Sequence, residues 1–381
     1  MTASAVALVR APGGWLRASA PGERFASLFG RDACIAALQV LPADPSVAEA
    51  TLAELGRHLG TRVEPEREEE PGRVPHEVRT TDLDAYVAYG WPVDDRGLRY
   101  YGSVDAGLWY LLLYAAVARA GGDAARHRRA ATEVLGWLRA KPSPLTYRRR
   151  ATSGGLAHQW WRDVAADLVG RSTHGDVGDD GRHLTGTVGI AAVQALAWRA
   201  LCDAAEVLDP SAAGDAEAAR AAFVEHYVVD GALVTSRDDR GVHRRPTGDS
   251  AFVLWTGVLP PALAEPASAD LLAPASTTDF GLRSLPADHR GFRPDGYHTG
   301  AVWPFLSWFA WGGLREERPD DAARLRDGTL RALGAIECFA ELYGVDAGGP
   351  LLLPEACRTM AVTAGAVTAW HHGWDGRSWL G

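Results

Sequence analysis

Ser103-Val104-Asp105-Ala106-Gly107-Leu108-Trp109-Tyr110-Leu111-Leu112-Leu113-Tyr114-Ala115-Ala116-Val117-Ala118-Arg119-Ala120 is nearly apolar from end to end. Leu108, Trp109, Leu111, Leu112, Leu113 and Tyr114 leave no polar side for water, so a helix here must be enclosed by other elements. Gly121-Gly122 stops it. The next segment, 123–139, is amphipathic instead, as a helix with one wet face would be. The same alternation runs outward in both directions. Upstream, Asp44-Pro45 supplies a cap and a first-turn proline, Val47, Leu52, Leu55 and Leu59 mark one face, and Gly60 ends the pattern. Downstream, the apolar stretch 187–208 is followed by 210–226. Further helices are predicted at 250–259, 300–314 and 319–343, and after Met360. Inner apolar helices alternating with outer amphipathic ones predict an all-α toroid, an (α/α)6 barrel, formed as a single domain over residues 1–381. The exception is 227–245, where Val228-Val229 and Ala232-Leu233 flank Asp230-Gly231 and read as a short β-hairpin insertion. Loops rich in Gly, Asp and Arg at 64–101, 141–155, 169–186 and 286–299 would gather at one rim and build a site there.

Composition narrows the function. A net charge of −9 over 381 residues is wrong for a nucleic-acid surface, which needs clustered Lys and Arg. The acidic run 64–70 reads either as a solvated loop or as part of a site. Cys34, Cys202, Cys338 and Cys357 form no Cys-x-x-Cys pair, which argues against zinc and for reduced thiols. The apolar run 3–9 is too short for a convincing leader, and Arg10 and Arg17 break up the residues after it. No segment approaches the roughly 20 apolar residues of a membrane span. A soluble, cytoplasmic protein is expected.

Two carboxylates stand in settings that suggest chemistry. Asp163 ends His158-Gln159-Trp160-Trp161-Arg162-Asp163, and Glu355 closes Leu352-Leu353-Pro354-Glu355. Acids among tryptophans suit a sugar-cleaving pocket: one acid protonates the glycosidic oxygen, a second activates water, and indole faces meet the C–H side of a pyranose. Desolvation by Trp160 and Trp161 would raise the Asp163 pKa as an acid requires. Asp163 also reads as a helix cap, and Asp167 is a competitor four residues on. Glu355 also reads as a first-turn Glu favoured by the helix dipole. Arg31-Asp32 is either a buried ion pair or a charged clamp for sugar hydroxyls. Asp105, at the start of the apolar helix, has the same two readings, and His298 either touches sugar or fixes its loop. His371-His372 lacks an acid at metal-ligand spacing, and 176–181 lacks the closing Glu of a calcium loop, so no metal and no cofactor are expected. Trp370, Trp374 and Trp379 either line a pocket or pin the last helix.

These motifs together resemble the glucosidase part of glycogen-debranching proteins, the amylo-α-1,6-glucosidase type, and more broadly the (α/α)6 glycosidases. The pieces are Gly30-Arg31-Asp32-Ala33; Glu70-Pro71-Gly72-Arg73 with His76-Glu77-Val78-Arg79; Tyr101-Gly102-Ser103-Val104-Asp105-Ala106; Gln159-Trp160-Trp161-Arg162-Asp163; Tyr297-His298 with Val302-Trp303-Pro304; and Leu353-Pro354-Glu355. They run in family order over most of the chain. The resemblance implies an inverting, exo-acting α-glucosidase, with Asp163 as general acid and Glu355 as general base. Arg31, Asp32, Glu77, Asp105, Gln159, Trp161, His298 and Trp303 would bind the terminal glucose of an α-glucan or small α-glucoside, with an α-1,6 linkage among the candidates. No nucleic acid and no membrane are expected as partners. Two other readings remain: a sugar isomerase or epimerase on a similar barrel, which would use paired histidines, and a carbohydrate-binding homologue without turnover.

Overall fold

The computed structural model describes residues 2–377, so Trp379 lies outside the described residues. Its helices are α1 (Thr2–Val9), α2 (Gly30–Val40), α3 (Pro45–Arg57), α4 (Asp84–Ala88), α5 (Ala106–Arg119), α6 (Ala124–Arg139), α7 (Ala191–Val207), α8 (Ala212–Tyr227), α9 (Ser250–Thr256), α10 (Pro261–Leu271), α11 (Pro304–Leu314), α12 (Pro319–Ile336) and α13 (Ala361–His371). Helices α2, α5, α7, α9, α11 and α13 pack side by side in that order, and α13 closes onto α2. Each has an outer partner: α3, α6, α8, α10 and α12 follow their inner helices, and α1 packs on α13. The result is an (α/α)6 barrel.

The apolar patterning explains which helices go inside. Every residue of α2 and α9 is buried, whereas α6 buries one stripe that includes Ala131, Val134, Leu135, Trp137 and Leu138. Aromatic rings fill the ring's centre. Trp109 of α5 lies 5.9 Å from Trp255 of α9 and 5.3 Å from Phe309 of α11, centroid to centroid. The Asp44 cap acts as the sequence suggests, accepting from the Ser46 N–H at 3.1 Å; Asp123 caps α6 in the same way, accepting from the Arg126 N–H at 3.2 Å.

The predicted hairpin is present. Val228–Val229 pairs with Ala232–Leu233, and Asp230 (φ 54°) and Gly231 (φ 75°) make the left-handed turn such a hairpin requires. Several helix boundaries differ from expectation: α9 ends at Thr256 and not at 259, and α11 begins at Pro304 and not at 300. Residues Thr187–Ile190 form a strand, and α7 begins only at Ala191. The strand joins Thr146–Arg148 and Ser236–Asp238, where Thr187, Val188 and Ile190 suit a pleated surface. Helix α12 stops at Ile336 because Glu337 turns left-handed (φ 55°), which frees 338–343 from the helix. The chain then forms the hairpin Tyr343–Asp346 and Gly349–Leu352. A second four-stranded sheet joins Leu28–Phe29, Glu77–Arg79, Gly97–Tyr100 and Val93–Asp94.

Candidate active site

Inner helices α2, α5, α9, α11 and α13 begin at Gly30, Ala106, Ser250, Pro304 and Ala361. Arg31, Asp32, Asp105, Asp249, Trp303 and Met360 stand at or just before those starts, so their side chains converge on one rim. A cavity open to solvent lies there. Its polar wall is Arg31, Asp32, Asp163, Tyr297, His298 and Glu341, and Phe29, Trp161, Trp303 and Phe305 form much of the apolar remainder.

Arg31 organises the acids. Its Nη2 donates to Asp163 Oδ2 at 2.6 Å, its Nη1 lies 3.5 Å from Asp105 Oδ1, and its Nε lies 3.6 Å from Asp32 Oδ2. Ser103 Oγ also donates to Asp105, at 2.7 Å. Asp163 keeps 29 % of its side chain open to the cavity, but the walls strip it of bulk water. That desolvation raises its pKa to about 6 despite the pull of Arg31, with Asp32 and Asp105 adding to the rise. Burial likewise pushes Asp32 upward.

Glu341 is the third acid on the cavity wall, after Asp32 and Asp163, and the sequence reading hid it inside an expected helix over 319–343. Tyr297 Oη donates to its Oε1, and the Cys357 N–H donates to Oε2 at 3.0 Å. Burial lifts its pKa to about 7 against the opposing effect of those two donors and of Arg24. Glu355 sits elsewhere. Its residue is exposed, it is not among the cavity-lining residues, and its carboxylate lies 3.7 Å from His174 Nε2. Its backbone carbonyl accepts from Arg24 Nη2 at 3.2 Å.

The aromatic wall is held from behind. Trp161 packs edge-on against Trp303, with centroids 5.3 Å apart, and His298 lies nearly parallel to Trp303 at 5.4 Å. Asp249, which the sequence reading did not single out, accepts from Trp161 Nε1 at 2.9 Å and from Arg162 Nε at 2.9 Å. Arg162 then donates to the carbonyls of His298 and Ser284. One buried ion pair thereby fixes two cavity walls. The Gly175 N–H donates to His298 Nδ1 at 2.8 Å, so Nε2 carries the ring proton. Burial pushes the His298 pKa far down, and this ring stays neutral.

The structure brings Arg31, Asp32, Asp163, Trp161, His298 and Trp303 together around one cavity, with Asp105 directly behind Arg31. Glu77 and Gln159 are buried but do not line it. Glu77 accepts from Arg79 at 2.6 Å and from Tyr86 at 3.0 Å, and Gln159 donates to Glu68 at 2.7 Å. Asp176 and Asp179 of the acidic loop bind protein donors: Trp160 Nε1 at 2.7 Å and the Arg244 N–H at 2.9 Å. Among the described residues no cluster of three or more His, Cys, Asp or Glu side chains is arranged to hold a metal ion. Among them, too, no helix is long and apolar enough to cross a membrane.

Six helix pairs with acids and indoles at one rim make this the architecture of a barrel glycosidase, and comparison with known proteins agrees. Residues 32–358 match the family model for the mannosylglycerate hydrolase MGH1-like glycoside hydrolase domain, so the chain belongs to that family. The likeness to glycogen-debranching glucosidases therefore holds at the level of (α/α)6 glycosidases, not of that family specifically. Among solved structures, GH63 mannosylglycerate hydrolase from Thermus thermophilus in complex with Tris and D-glycerate superposes with a TM-score of 0.69 at 15 % identity, covering 97 % of this chain and 99 % of that one. The same enzyme in complex with glucose gives 0.66 at 15 % identity, with 97 % and 99 % coverage. A wild-type glycosidase gives 0.60 at 16 % identity, with 97 % and 95 % coverage. At these identities the likeness is one of fold. No curated protein sequence matches the chain.

Proposed function

We propose that this glycoside hydrolase is an inverting, exo-acting α-glycosidase in which Asp163 is the general acid and Glu341 the general base. The carrying observation is that both carboxyls line one desolvated cavity with raised proton affinity. An inverting reaction needs one proton on the pair: the acid gives it to the departing oxygen while the base removes one from the attacking water. Tyr297 and the Cys357 N–H aim donors at Glu341 and oppose the rise that burial causes; Glu341 still has the higher proton affinity of the pair, about 7 against about 6 for Asp163, so the productive form is the less populated one that carries the proton on Asp163. Asp163 is the more solvent-accessible of the two and can reach a leaving group. Glu355, the base favoured by sequence, is the rival; its position outside the cavity lining speaks for Glu341. Arg31 and Asp32 would hold the hydroxyls of the terminal sugar, Trp161 and Trp303 would cover its apolar face, and the neutral His298 would donate from Nε2. The resemblance in sequence favours glucose as that sugar. The family's mannosylglycerate hydrolase name, and the relative solved with D-glycerate, support α-mannosides as the second choice.

Product anomers test the mechanism. Proton NMR of the first turnovers on an aryl α-glucoside and α-mannoside should show the β-sugar before mutarotation; α-sugar appearing first would overturn inversion. Azide tests the roles. In Glu341→Ala, azide should occupy the vacated space and restore turnover of an activated α-glycoside as the β-glycosyl azide. Rescue of Glu355→Ala in its place would return the base to Glu355.

A further inference from the structure

Arg24 stands beside the cavity wall with no part yet in the chemistry. It lies ahead of the strand Leu28–Phe29, and its backbone carbonyl accepts from Arg79 Nη2 at 2.8 Å. Arg79 is itself fixed by the buried Glu77 at 2.6 Å, so Glu77 holds the Arg24 backbone at one remove. Among the described residues the Arg24 guanidinium makes one hydrogen bond, from Nη2 to the Glu355 carbonyl at 3.2 Å, and is bonded to no carboxylate. It lies 4.5 Å from the ring centroid of Phe25 and 5.7 Å from that of Tyr297, and both rings line the cavity. Tyr297 joins this cation to Glu341: its ring faces Arg24 and its Oη donates to Glu341 Oε1.

The titratable groups that face Arg24 are Tyr297, Glu341, Cys357, Glu355 and His174. Burial keeps Tyr297 a neutral phenol, Cys357 a neutral thiol and His174 a neutral imidazole. Glu341 and Glu355 are therefore the carboxylates on which this cation acts, and of the two only Glu341 lines the cavity. Around Glu341, Tyr297 and the Cys357 N–H donate, Arg24 supplies positive charge and Asp32 a negative neighbour. Burial raises the Glu341 pKa, and the two donors and Arg24 oppose that rise. Asp163 is governed separately, by burial first and then by Arg31, with Asp32 and Asp105.

We propose that Arg24 is the positioning residue of the base: set against the phenol that hydrogen-bonds Glu341, its charge keeps that carboxyl ready to take a proton from water. This rests on Glu341 being the base and names the group that governs it. In the productive form the proton sits on Asp163, and Glu341 competes for it. Removing the Arg24 charge strengthens the competitor, so the productive form grows scarcer wherever the pair holds one proton. At alkaline pH both acids are ionised, and the population of the productive form then depends on Asp163 alone. The loss therefore vanishes there, which a merely structural defect would not do.

Arg24→Gln removes the charge and keeps a donor for the Glu355 carbonyl. On an aryl α-glycoside its alkaline limb of kcat/KM should move up by about one pH unit. Its kcat/KM should be about tenfold below wild type at about pH 6 and within about twofold of it above about pH 9. Arg24→Lys restores the charge and should bring rate and limb back to within about twofold of wild type. Carbon-13 NMR of the glutamate side-chain carboxyls, with Glu341→Gln assigning the signal, reads the change without turnover: Glu341 should titrate higher in Arg24→Gln by about one pH unit. Arg24→Met, which keeps the packing on Phe25, replaces Arg24→Gln if that variant does not fold. A loss equal at every pH, an alkaline limb that stays in place, or a Lys variant that behaves like Gln overturns the proposal. Wild-type turnover by Glu341→Gln sinks the reading of Glu341 as base. An inactive Glu341→Gln together with an unmoved limb in Arg24→Gln sinks the proposal alone.

Discussion

At the scale of single residues, the site depends on carboxyls held in unfavourable surroundings. Glu341 is 1 % exposed, and its folded pKa of about 7 lies above the ordinary 4.5. A raised carboxyl pKa contributes stability that is full below the unfolded value and lost as pH rises through the folded one. Ionising Glu341 therefore weakens the fold between about pH 4.5 and 7. Glu341→Gln should be inactive yet gain on the order of 2 kcal/mol over wild type at pH 8, and little at about pH 4. Urea unfolding at the two pH values checks this; an equal effect at both would remove the strain assigned to Glu341. Activity should depend on the same two groups. Because the pair must hold one proton, kcat/KM should be bell-shaped with its maximum between about 6 and about 7, the values for Asp163 and Glu341. The Arg162–Asp249 pair makes a different demand. Asp249→Ala would leave the buried Arg162 guanidinium with only Asp176, 3.8 Å from its Nε, at a cost of about 3 kcal/mol, and would release Trp161. Asp163 could be read from its tryptophan-rich neighbourhood, but Glu341 could not. Its neighbours Phe339, Ala340, Leu342 and Tyr343 look like the continuation of an amphipathic helix, and only the left-handed turn at Glu337 reveals a loop.

At the scale of elements, helix starts do the positioning. The first residue of α2 is Gly30, and a Cβ there would meet the Pro75 carbonyl oxygen at 2.2 Å. Any side chain must push α2 away from the strand Glu77–Arg79 and its approach, and Arg31 and Asp32 would move with it. Gly30→Ala should cut kcat/KM by at least about tenfold, because misplacing the groups that orient a substrate is costly. Near-UV circular dichroism and a thermal melt would show whether the fold survives. Full activity in a folded Gly30→Ala protein would mean that α2 tolerates the shift. The start of α3, with its Asp44-Pro45 signal, and the amphipathic extent of α6 were legible almost to the residue. The boundary of α7 was not, because 187–190 is apolar in either conformation and periodicity cannot separate a buried strand from a buried helix turn.

At the scale of the whole molecule, closure of the ring matters most. Trp109, Phe252, Trp255 and Phe309 bring α5, α9 and α11 together at the centre, with the rings of Phe252 and Phe309 4.5 Å apart. Trp109→Ala would open a void that no single helix can fill, since each is held by two neighbours and an outer partner. A loss of about 3–5 kcal/mol is expected in denaturant unfolding. A loss under about 1 kcal/mol would show that the ring collapses around the gap.

The sequence by itself determined the barrel and much of its rim. Burial is written locally: an all-apolar helix has to go inside and an amphipathic one outside, and the alternation repeats along the chain. It also determined the Asp230-Gly231 hairpin, because a left-handed pair of turn residues needs no distant partner. Tertiary structure alone decided which acids share the cavity. Glu341 and Glu355 are separated by a hairpin that turns one carboxyl onto the cavity wall and leaves the other exposed behind Tyr297 and His174. Whether a carboxyl meets water or an enclosed wall depends on segments far away in the chain, here those carrying Arg24, His174 and Tyr297, and neither residue type nor spacing encodes that meeting.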